Sequence, residues 1–464
     1  MARARVTDLV VVLPGIMGSR LADADGGAVW DLSGADLLRG LRDFGRSLSA
    51  LRLPKDIGDG DPGDGVVPVG LMPDLHALPG VWRPVDGYTD LLRWLERHFT
   101  LSVSDNLLTF PYDWRLSCRY NAERLKGRID LELERWRASA PERRGARVVF
   151  LCHALGGLVA RHYVERLGGH EITRRLITLG TPHQGCLEAL AALVDGGDPV
   201  GLGPDLSRFA RSLPSLHQLA PDYACMAGPD GPVRARDLPG LPGVDAALLA
   251  DAARFHADLR SGPSRAELLV IAGAGQPTAT AAACDGDRLT LLREADGDGA
   301  VPREVALPAR AHGDGEGERE AGAGSVARPA AERFTEPFAE PVAVYEQHGS
   351  LQNNRAVRVA LQGLMGHGRD RTGGPADPAA RLGVRAPAVL AAGAPYEVTV
   401  TAPGEGLRLM AQLRPADGGR ASARPLRGLG GGRYSVSFAP PRPGPYRLTV
   451  GPVTALVTSL TQRP

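Results

Sequence analysis

The sequence of 464 residues lacks several features that would point to particular classes of protein. It has no excess of charge, since 54 basic and 53 acidic residues leave a net charge of +1, so nothing favours a nucleic acid or another polyanion as partner. It also lacks long hydrophobic runs. The N-terminal run 9–13 ends at Pro14-Gly15 and is too short for a membrane span or a signal-peptide core. We therefore expect a cytoplasmic protein with a small or apolar partner.

Cysteine is scarce as well. The five cysteines are an odd number and contain no C-x-x-C pair, which favours reduced, structural thiols. No cluster of residues has the spacing of metal ligands, and no Gly-rich loop has a phosphate-binding pattern, so we expect neither a metal nor a cofactor. The abundance of Gly, Pro, Ala and Arg over Lys is typical of a GC-rich bacterial genome.

What the sequence does contain is an alternation of apolar runs and amphipathic segments. Such alternation predicts an α/β fold with a mainly parallel sheet and helices on both faces. The acidic, Gly-rich segment 56–65 predicts a mobile insertion. The alternating elements are strands at 8–13, 106–115, 147–153, 174–185 and 267–274, and helices at 87–99 and 121–138.

The most informative stretch is 147–165. An apolar, β-branched run breaks into Cys-His-Ala-Leu-Gly-Gly and continues with a helical pattern, which is the context of the G-x-S-x-G nucleophile elbow of α/β-hydrolases. The middle position is Ala154, and a methyl group cannot attack a carbonyl carbon. Cys152 replaces the first glycine of the pattern, but it lies two positions before the apex, so we do not expect it to be the nucleophile.

The remaining parts of a serine-type site follow in order. Acyl transfer needs a nucleophile, an imidazole base, a carboxylate that orients the base, and donors for the oxyanion. In α/β-hydrolases the chain order is Ser, acid, His. This chain offers Ala154, Asp298 and His348, each in a loop after a predicted strand. We expect His153 to pack or hydrogen-bond within the elbow.

Together these motifs resemble those of the lecithin:cholesterol acyltransferase family, including its bacterial lipase-like members. The resemblance extends over about residues 7–365. It implies that Asp298 is the acid, because it matches the family's GD-x-x-V pattern, whereas the rival Asp296 precedes the Gly-Asp pair. The motifs are LPGIMGS (13–19), PYDWR (111–115), the elbow (152–157), LGTPHQG (179–185), GDGAVP (297–302) and HGSLQNN (348–354).

The same resemblance assigns the remaining roles. It implies that His348 is the general base. It also implies that the backbone N–H of Ile16 or Met17 pairs with that of Leu155 to form the oxyanion hole.

The alternation of strands and helices stops at residue 186 and resumes at 267. We expect the insertion 186–265 to be a helical cap over an apolar pocket, although an extra helical layer is the alternative. We predict an α/β-hydrolase domain at 1–365, a linker at 366–386 and a small Ig-like β-sandwich at 387–464, where alternating segments are separated by Pro/Gly turns.

The function inferred from these motifs is an O-acyltransferase or acyl-ester hydrolase of lipase or esterase type, acting on a lipid-like substrate. With Ala154 at the nucleophile position, the chain is expected to be inactive as written. Both a natural loss and a deliberate change fit the pattern. For either function we expect any membrane contact to be peripheral and to occur through the cap. One alternative is a pseudoenzyme that binds an acyl or lipid ligand or a protein partner. Another is that the β-sandwich is an adhesion or assembly module.

Overall fold

A computed structural model describes most of the chain. The predicted linker 366–386 lies outside the described residues except for its last five, as do parts of the predicted cap. The described residues are 3–31, 51–73, 85–195, 204–238, 240–261, 266–286, 288–309, 341–365, 382–391, 395–416, 418–439 and 441–460.

Among the described residues, strands and helices alternate up to residue 365, and strands alone follow. None of the helices within the described segments has the length and apolar character needed to cross a bilayer. The strands are β1 Leu9–Leu13, β2 Ser19–Ala22, β3 Ala28–Trp30, β4 Val67–Leu71, β5 Leu107–Thr109, β6 Val148–His153, β7 Thr173–Leu179, β8 Met226–Gly228, β9 Gly231–Val233, β10 Glu267–Gly273, β11 Thr278–Asp285, β12 Arg288–Glu294, β13 Val342–Val344, β14 Gly383–Arg385, β15 Val389–Ala391, β16 Tyr396–Thr401, β17 Met410–Pro415, β18 Ser422–Pro425, β19 Arg427–Gly430, β20 Arg433–Phe438, β21 Gly444–Val450 and β22 Val453–Leu460. The helices are α1 Thr89–His98, α2 Cys118–Ala138, α3 Leu155–Arg166, α4 Leu187–Val194, α5 Pro204–Arg211, α6 Pro214–Gln218, α7 Ala246–Arg260 and α8 Arg355–Met365.

The central sheet has the strand order β5-β1-β6-β7-β10-β13, and every pair in it is parallel. Both faces are buried, because odd-numbered residues of β1 pack with α2 and α3 while its even-numbered residues pack with α1 and α8. This arrangement confirms the predicted α/β-hydrolase fold. In such sheets ligands bind at the carboxyl ends of the strands, so the functional site is expected at that edge of the sheet.

The insertion between β7 and β10 is only partly as predicted. It contains α4 to α7, but also β8 and β9, which join a hairpin of β11 and β12 in the order β12-β11-β8-β9. The helices expected of a cap are therefore present, and the two short strands add to them. The hairpin escaped prediction because 278–285 is an alanine-rich segment with little β-branched character.

The C-terminal region forms two facing sheets. Their orders are β14-β16-β20-β19 and β15-β22-β21-β17-β18, and all pairs are antiparallel except β15 with β22. Alternate residues of β16, Tyr396, Val398 and Val400, point into their shared core. The predicted β-sandwich is confirmed. Its first strand, β14, lies within the segment predicted as linker.

Candidate active site

The turn between β6 and α3 has the geometry of a nucleophile elbow. Ala154 connects the two elements with φ 48° and ψ −122°, a backbone conformation that side chains rarely adopt. The close packing explains the small residues that follow, since a Cβ at Gly157 would lie 2.1 Å from Oγ1 of Thr181. Cys152 is buried, and burial raises the pKa of its thiol well above the usual range, which suits an inert, structural role.

The strain at Ala154 gives a testable stability effect. A non-glycine residue in such a conformation destabilises the folded state by about 1–3 kcal/mol. Glycine avoids this strain, but its greater freedom in the unfolded chain costs about 0.5–1 kcal/mol on folding. We expect Ala154→Gly to raise the free energy of unfolding by about 1 kcal/mol, measured as a higher urea midpoint at constant slope. The control Ala160→Gly, in the interior of α3, should lower it by at least about 1 kcal/mol. Equal losses in both variants would contradict the strained elbow.

The loop 14–19 lies directly against the elbow. A Cβ on Gly15 would lie 3.1 Å from the methyl carbon of Ala154, so any side chain there would have to push the loop and the elbow apart by a few tenths of an ångström. The N–H of Gly18 donates to the carbonyl of Gly15, and Met17 has φ 60°. Within the described residues, this turn leaves the N–H groups of Ile16 and Met17 without a hydrogen-bond acceptor. Leu155 is the first residue of α3, where backbone N–H groups have no intrahelical acceptor.

The PYDWR motif holds this loop in place. The N–H of Tyr112 donates to Oγ of Ser19 (3.0 Å), and the Tyr112 hydroxyl donates to the carbonyl of Pro14 (2.8 Å). The indole N–H of Trp114 donates to the carbonyl of Ser19 (3.2 Å). Two motifs that are about a hundred residues apart in sequence therefore form one packed unit.

Arg115, the last residue of the motif, organises a buried ion cluster. Its guanidinium is fully buried and lies 2.7 Å from the carboxylate of Asp113 and 2.8 Å from that of Asp64. Burial alone would lower the pKa of Arg115, but the two carboxylates outweigh it and raise that pKa. Asp59 also accepts from Ser117 (2.6 Å). The acidic segment 56–65 is therefore held at Asp59 and Asp64, the second of which pairs with the buried guanidinium of Arg115. The sequence had predicted a mobile segment.

Asp298 and His348, which the motifs predict to be the acid and the base, lie in direct contact. Nδ1 of His348 lies 2.8 Å from Oδ2 of Asp298, and Oδ1 accepts from the N–H groups of Ala300 (2.9 Å) and Val301 (2.7 Å). With Nδ1 donating to the carboxylate, a neutral imidazole offers Nε2 as an acceptor. The rival Asp296 instead pairs with Arg303 (3.3 Å).

These residues meet at the carboxyl edge of the sheet. Ala154 follows β6, and His348 lies shortly after the end of β13. Asp298 pairs with Gln276, which follows β10. Gly180, directly after β7, touches the acid–base pair, since a Cβ there would lie 2.9 Å from Oδ2 of Asp298 and 3.1 Å from Nδ1 of His348.

A hydrogen-bonded chain links the elbow, the loop 14–19 and the base. The N–H of Gly15 donates to the hydroxyl of Tyr88 (2.8 Å), which lies 2.9 Å from Nδ1 of His153. Nε2 of His153 lies 3.0 Å from the carbonyl of His348. Because the carbonyl oxygen of His348 can only accept, Nε2 carries the imidazole proton, and Nδ1 accepts the hydroxyl proton of Tyr88. His153 therefore bonds from the elbow to Tyr88 and to His348, rather than within the elbow as expected. No local pattern identified Tyr88.

Part of the chain that forms this site matches a known protein family. Residues 84–214 match the lecithin:cholesterol acyltransferase family. The resemblance drawn from the motifs is therefore confirmed in this region, which includes PYDWR, the elbow and LGTPHQG. The match ends before Asp298 and His348. No curated protein gives a significant match to the chain.

Solved structures with a similar course of the chain include lipases and phospholipases. A chain of the Tle4-Tli4 complex is 16% identical, with 78% of this chain and 98% of that chain covered and a TM-score of 0.47. Lipase BlEst2 from Bacillus licheniformis, in mature form, is 11% identical, with 77% and 92% covered and a TM-score of 0.33. Phospholipase PlaB from Legionella pneumophila is 10% identical, with 84% and 91% covered and a TM-score of 0.33. At these scores the likeness adds nothing about function.

Beside the candidate site lies a buried carboxyl group that no sequence pattern revealed. Oε1 of Glu346 accepts from the N–H groups of Gln347 and Thr454 (both 2.8 Å), and Oε2 accepts from the amide of Asn354 (2.9 Å). Burial raises the pKa of Glu346 to about 7, although these donors act in the opposite direction, and the nearby Asp86 carboxylate adds to the rise.

In the described residues, no group of three or more His, Cys, Asp or Glu could hold a metal ion.

Glu346 should make stability depend on pH. The folded protein binds this proton with a pKa of about 7 against the ordinary 4.5, so it carries more protons than the unfolded chain in that window. The free energy of unfolding should therefore fall by about 3 kcal/mol as pH rises from about 4.5 to 7. Glu346→Gln should remove this slope, while Glu397→Gln, at an exposed position of β16, should retain it. An unchanged slope in Glu346→Gln would refute the assignment.

Proposed function

We propose that this protein belongs to an acyl-ester hydrolase or O-acyltransferase lineage of lipase or esterase type, and that its site recognises a lipid-like acyl ester. The chain as written makes no acyl-enzyme, because Ala154 stands where the nucleophile would be. The observation that carries the proposal is the buried 2.8 Å contact between His348 Nδ1 and Asp298 Oδ2, at the sheet edge that also carries the elbow.

The residues have the following roles. Asp298 holds the imidazole of His348 in the tautomer that leaves Nε2 free to take a proton. The N–H of Ile16 or Met17, together with that of Leu155, stabilises the negative charge on the carbonyl oxygen of a bound ester. Without a hydroxyl at Ala154 no covalent intermediate forms, and in template triads the loss of the nucleophile lowers kcat by about 10⁶-fold.

The remaining assignments are part of the same proposal. The hydrolase domain comprises residues 1–365, with a cap at 186–265. The β-sandwich comprises the predicted segment 387–464 together with β14, which precedes it. The cap covers the acyl chain and contacts membrane surfaces peripherally, and the protein is bacterial and cytoplasmic.

Covalent labelling tests the proposal. The Ala154→Ser protein is incubated with a fluorophosphonate probe, and the modified residue is mapped by mass spectrometry. We expect stoichiometric labelling at position 154, none in the unchanged chain, and strongly reduced labelling when His348→Ala is added. A folded Ala154→Ser protein that neither reacts with the probe nor hydrolyses acyl esters would overturn the enzyme lineage.

A second candidate function is binding without catalysis. Ala154 itself favours it, because the remaining elements of the site could retain an acyl ligand that they cannot cleave. Native mass spectrometry of gently purified protein, before and after incubation with fatty esters, tests this function. We expect one bound acyl molecule per chain, and a protein that takes up no fatty ester would count against binding.

A further inference from the structure

The C-terminal β-sandwich contacts the segment that carries His348. The N–H of Thr454, in β22, donates to the buried Glu346 carboxylate (2.8 Å). The amide of Gln347 donates to the carbonyl of Val384, in β14 (3.0 Å). The two residues immediately before His348 are thus both bonded to the sandwich.

The acid loop is tied to the same sandwich strand. The backbone N–H of Gln276 donates to the carbonyl of Gly297 (2.9 Å), and Gln276 bridges to Asp298. Its fully buried side-chain amide donates to the carbonyl of Leu382 (2.9 Å) and accepts from the N–H of Val384 (3.0 Å). One glutamine therefore joins the loop of the acid to the edge of β14.

A third link runs through Asp86. The N–H of Asp86 donates to the carbonyl of Gly349 (2.7 Å), and its carbonyl accepts from the amide of Gln352 (2.7 Å). Its carboxylate is paired with the guanidinium of Arg447, in β21, through both Nη2 and Nε. The turn that follows His348 is therefore held through Asp86 by a charge on the sandwich.

We propose that the C-terminal β-sandwich is a positioning element for the Asp298–His348 pair, and that Gln276, Glu346 and Arg447 are the positioning residues that join them. The inference rests on the proposed role of that pair. The buried side chain of Gln276 has two partners at the edge of β14, and the buried carboxyl of Glu346 takes one of its three donors, Thr454, from the sandwich. Buried polar groups are left unsatisfied when such partners are lost. The two loops therefore keep their geometry only while the sandwich is docked.

Hydrogen exchange in the full chain tests the docking without any need for activity. We compare Gln276→Leu with Gln412→Leu, an exposed position of β17, and Arg447→Met with Arg427→Met, an exposed position of β19. In Gln276→Leu and Arg447→Met, amides of 296–302 and 346–354 should exchange about tenfold faster or more, with β1 and α7 unchanged. Exchange equal to that of the controls would overturn the proposal. If either variant fails to fold, Gln276→Asn or Arg447→Gln replaces it.

Kinetic measurements on variants that also carry Ala154→Ser test whether the sandwich contacts support His348 as the base. Gln276→Leu and Arg447→Met should lower kcat by about 10- to 100-fold with little change in KM, and should displace the acidic limb of the pH–rate profile. Arg447→Lys should restore most of the rate. Lower thermal stability with kcat and pH profile unchanged would show a merely structural contact and overturn positioning. If Ala154→Ser is inactive but exchange responds as expected, the proposed function fails while the docking stands.

Discussion

Ala154→Ser should increase acyl-ester hydrolysis by about 10⁶-fold over the unchanged chain, because loss of the nucleophile from a template triad lowers kcat by about that factor. The hydroxyl would enter an elbow whose backbone is already bent at φ 48°, beside a base that Asp298 already orients. The measurement is initial-rate hydrolysis of short and long acyl esters. Ala154→Thr serves as a control, since its extra methyl group is unfavourable in this conformation.

The role of the acid can be separated in the same background. Asp298→Asn in the Ala154→Ser protein should lower kcat by about 10⁴-fold, because an amide stabilises the wrong imidazole tautomer. Asp296→Asn is the matched control, since Asp296 pairs with Arg303, and it should retain the rate. A reversed ranking would transfer the acid role to Asp296.

Arg115→Met should lower the free energy of unfolding by about 3–5 kcal/mol, because removing one partner of a buried ion pair leaves an uncompensated charge. Here that charge is the carboxylate of Asp113, which is 6% exposed. The measurement is urea unfolding, fitted for midpoint and slope.

The matched control is Arg128→Met. Arg128 lies on α2, pairs with Glu132 at 3.0 Å and is half exposed, so its loss should change the free energy of unfolding by less than about 1 kcal/mol. A loss for Arg115→Met as small as that of the control would mean that water or a rearranged segment 56–65 compensates Asp113.

Much of the fold could be predicted because its determinants are local. A run such as 9–13 is apolar throughout, which predicts a strand buried on both faces, and β1 is such a strand. The hairpin of β11 and β12 lacked such a signal, because β11 is rich in alanine and is recognised as a strand only by its pairing with β12.

The residues of the candidate site likewise fall into those that the sequence predicted and those that only the structure revealed. Asp298 and His348 stood in recognisable motifs, so their pairing could be predicted. Tyr88, Asp86 and Glu346 could not be found, because their roles arise from contacts between distant parts of the chain. Asp86 and Arg447, for instance, are 361 positions apart, and no periodicity or spacing links such residues.

The backbone conformation of Ala154 has a consequence for how this protein could change over generations. The surrounding strand, helix and loop 14–19 impose the bend whether or not a hydroxyl is present, so the bend does not depend on the catalytic oxygen. In the genetic code every alanine codon becomes a serine codon when its first base changes from G to T. Gaining or losing a nucleophile at this elbow is therefore a single-base event that needs no accompanying change in the fold.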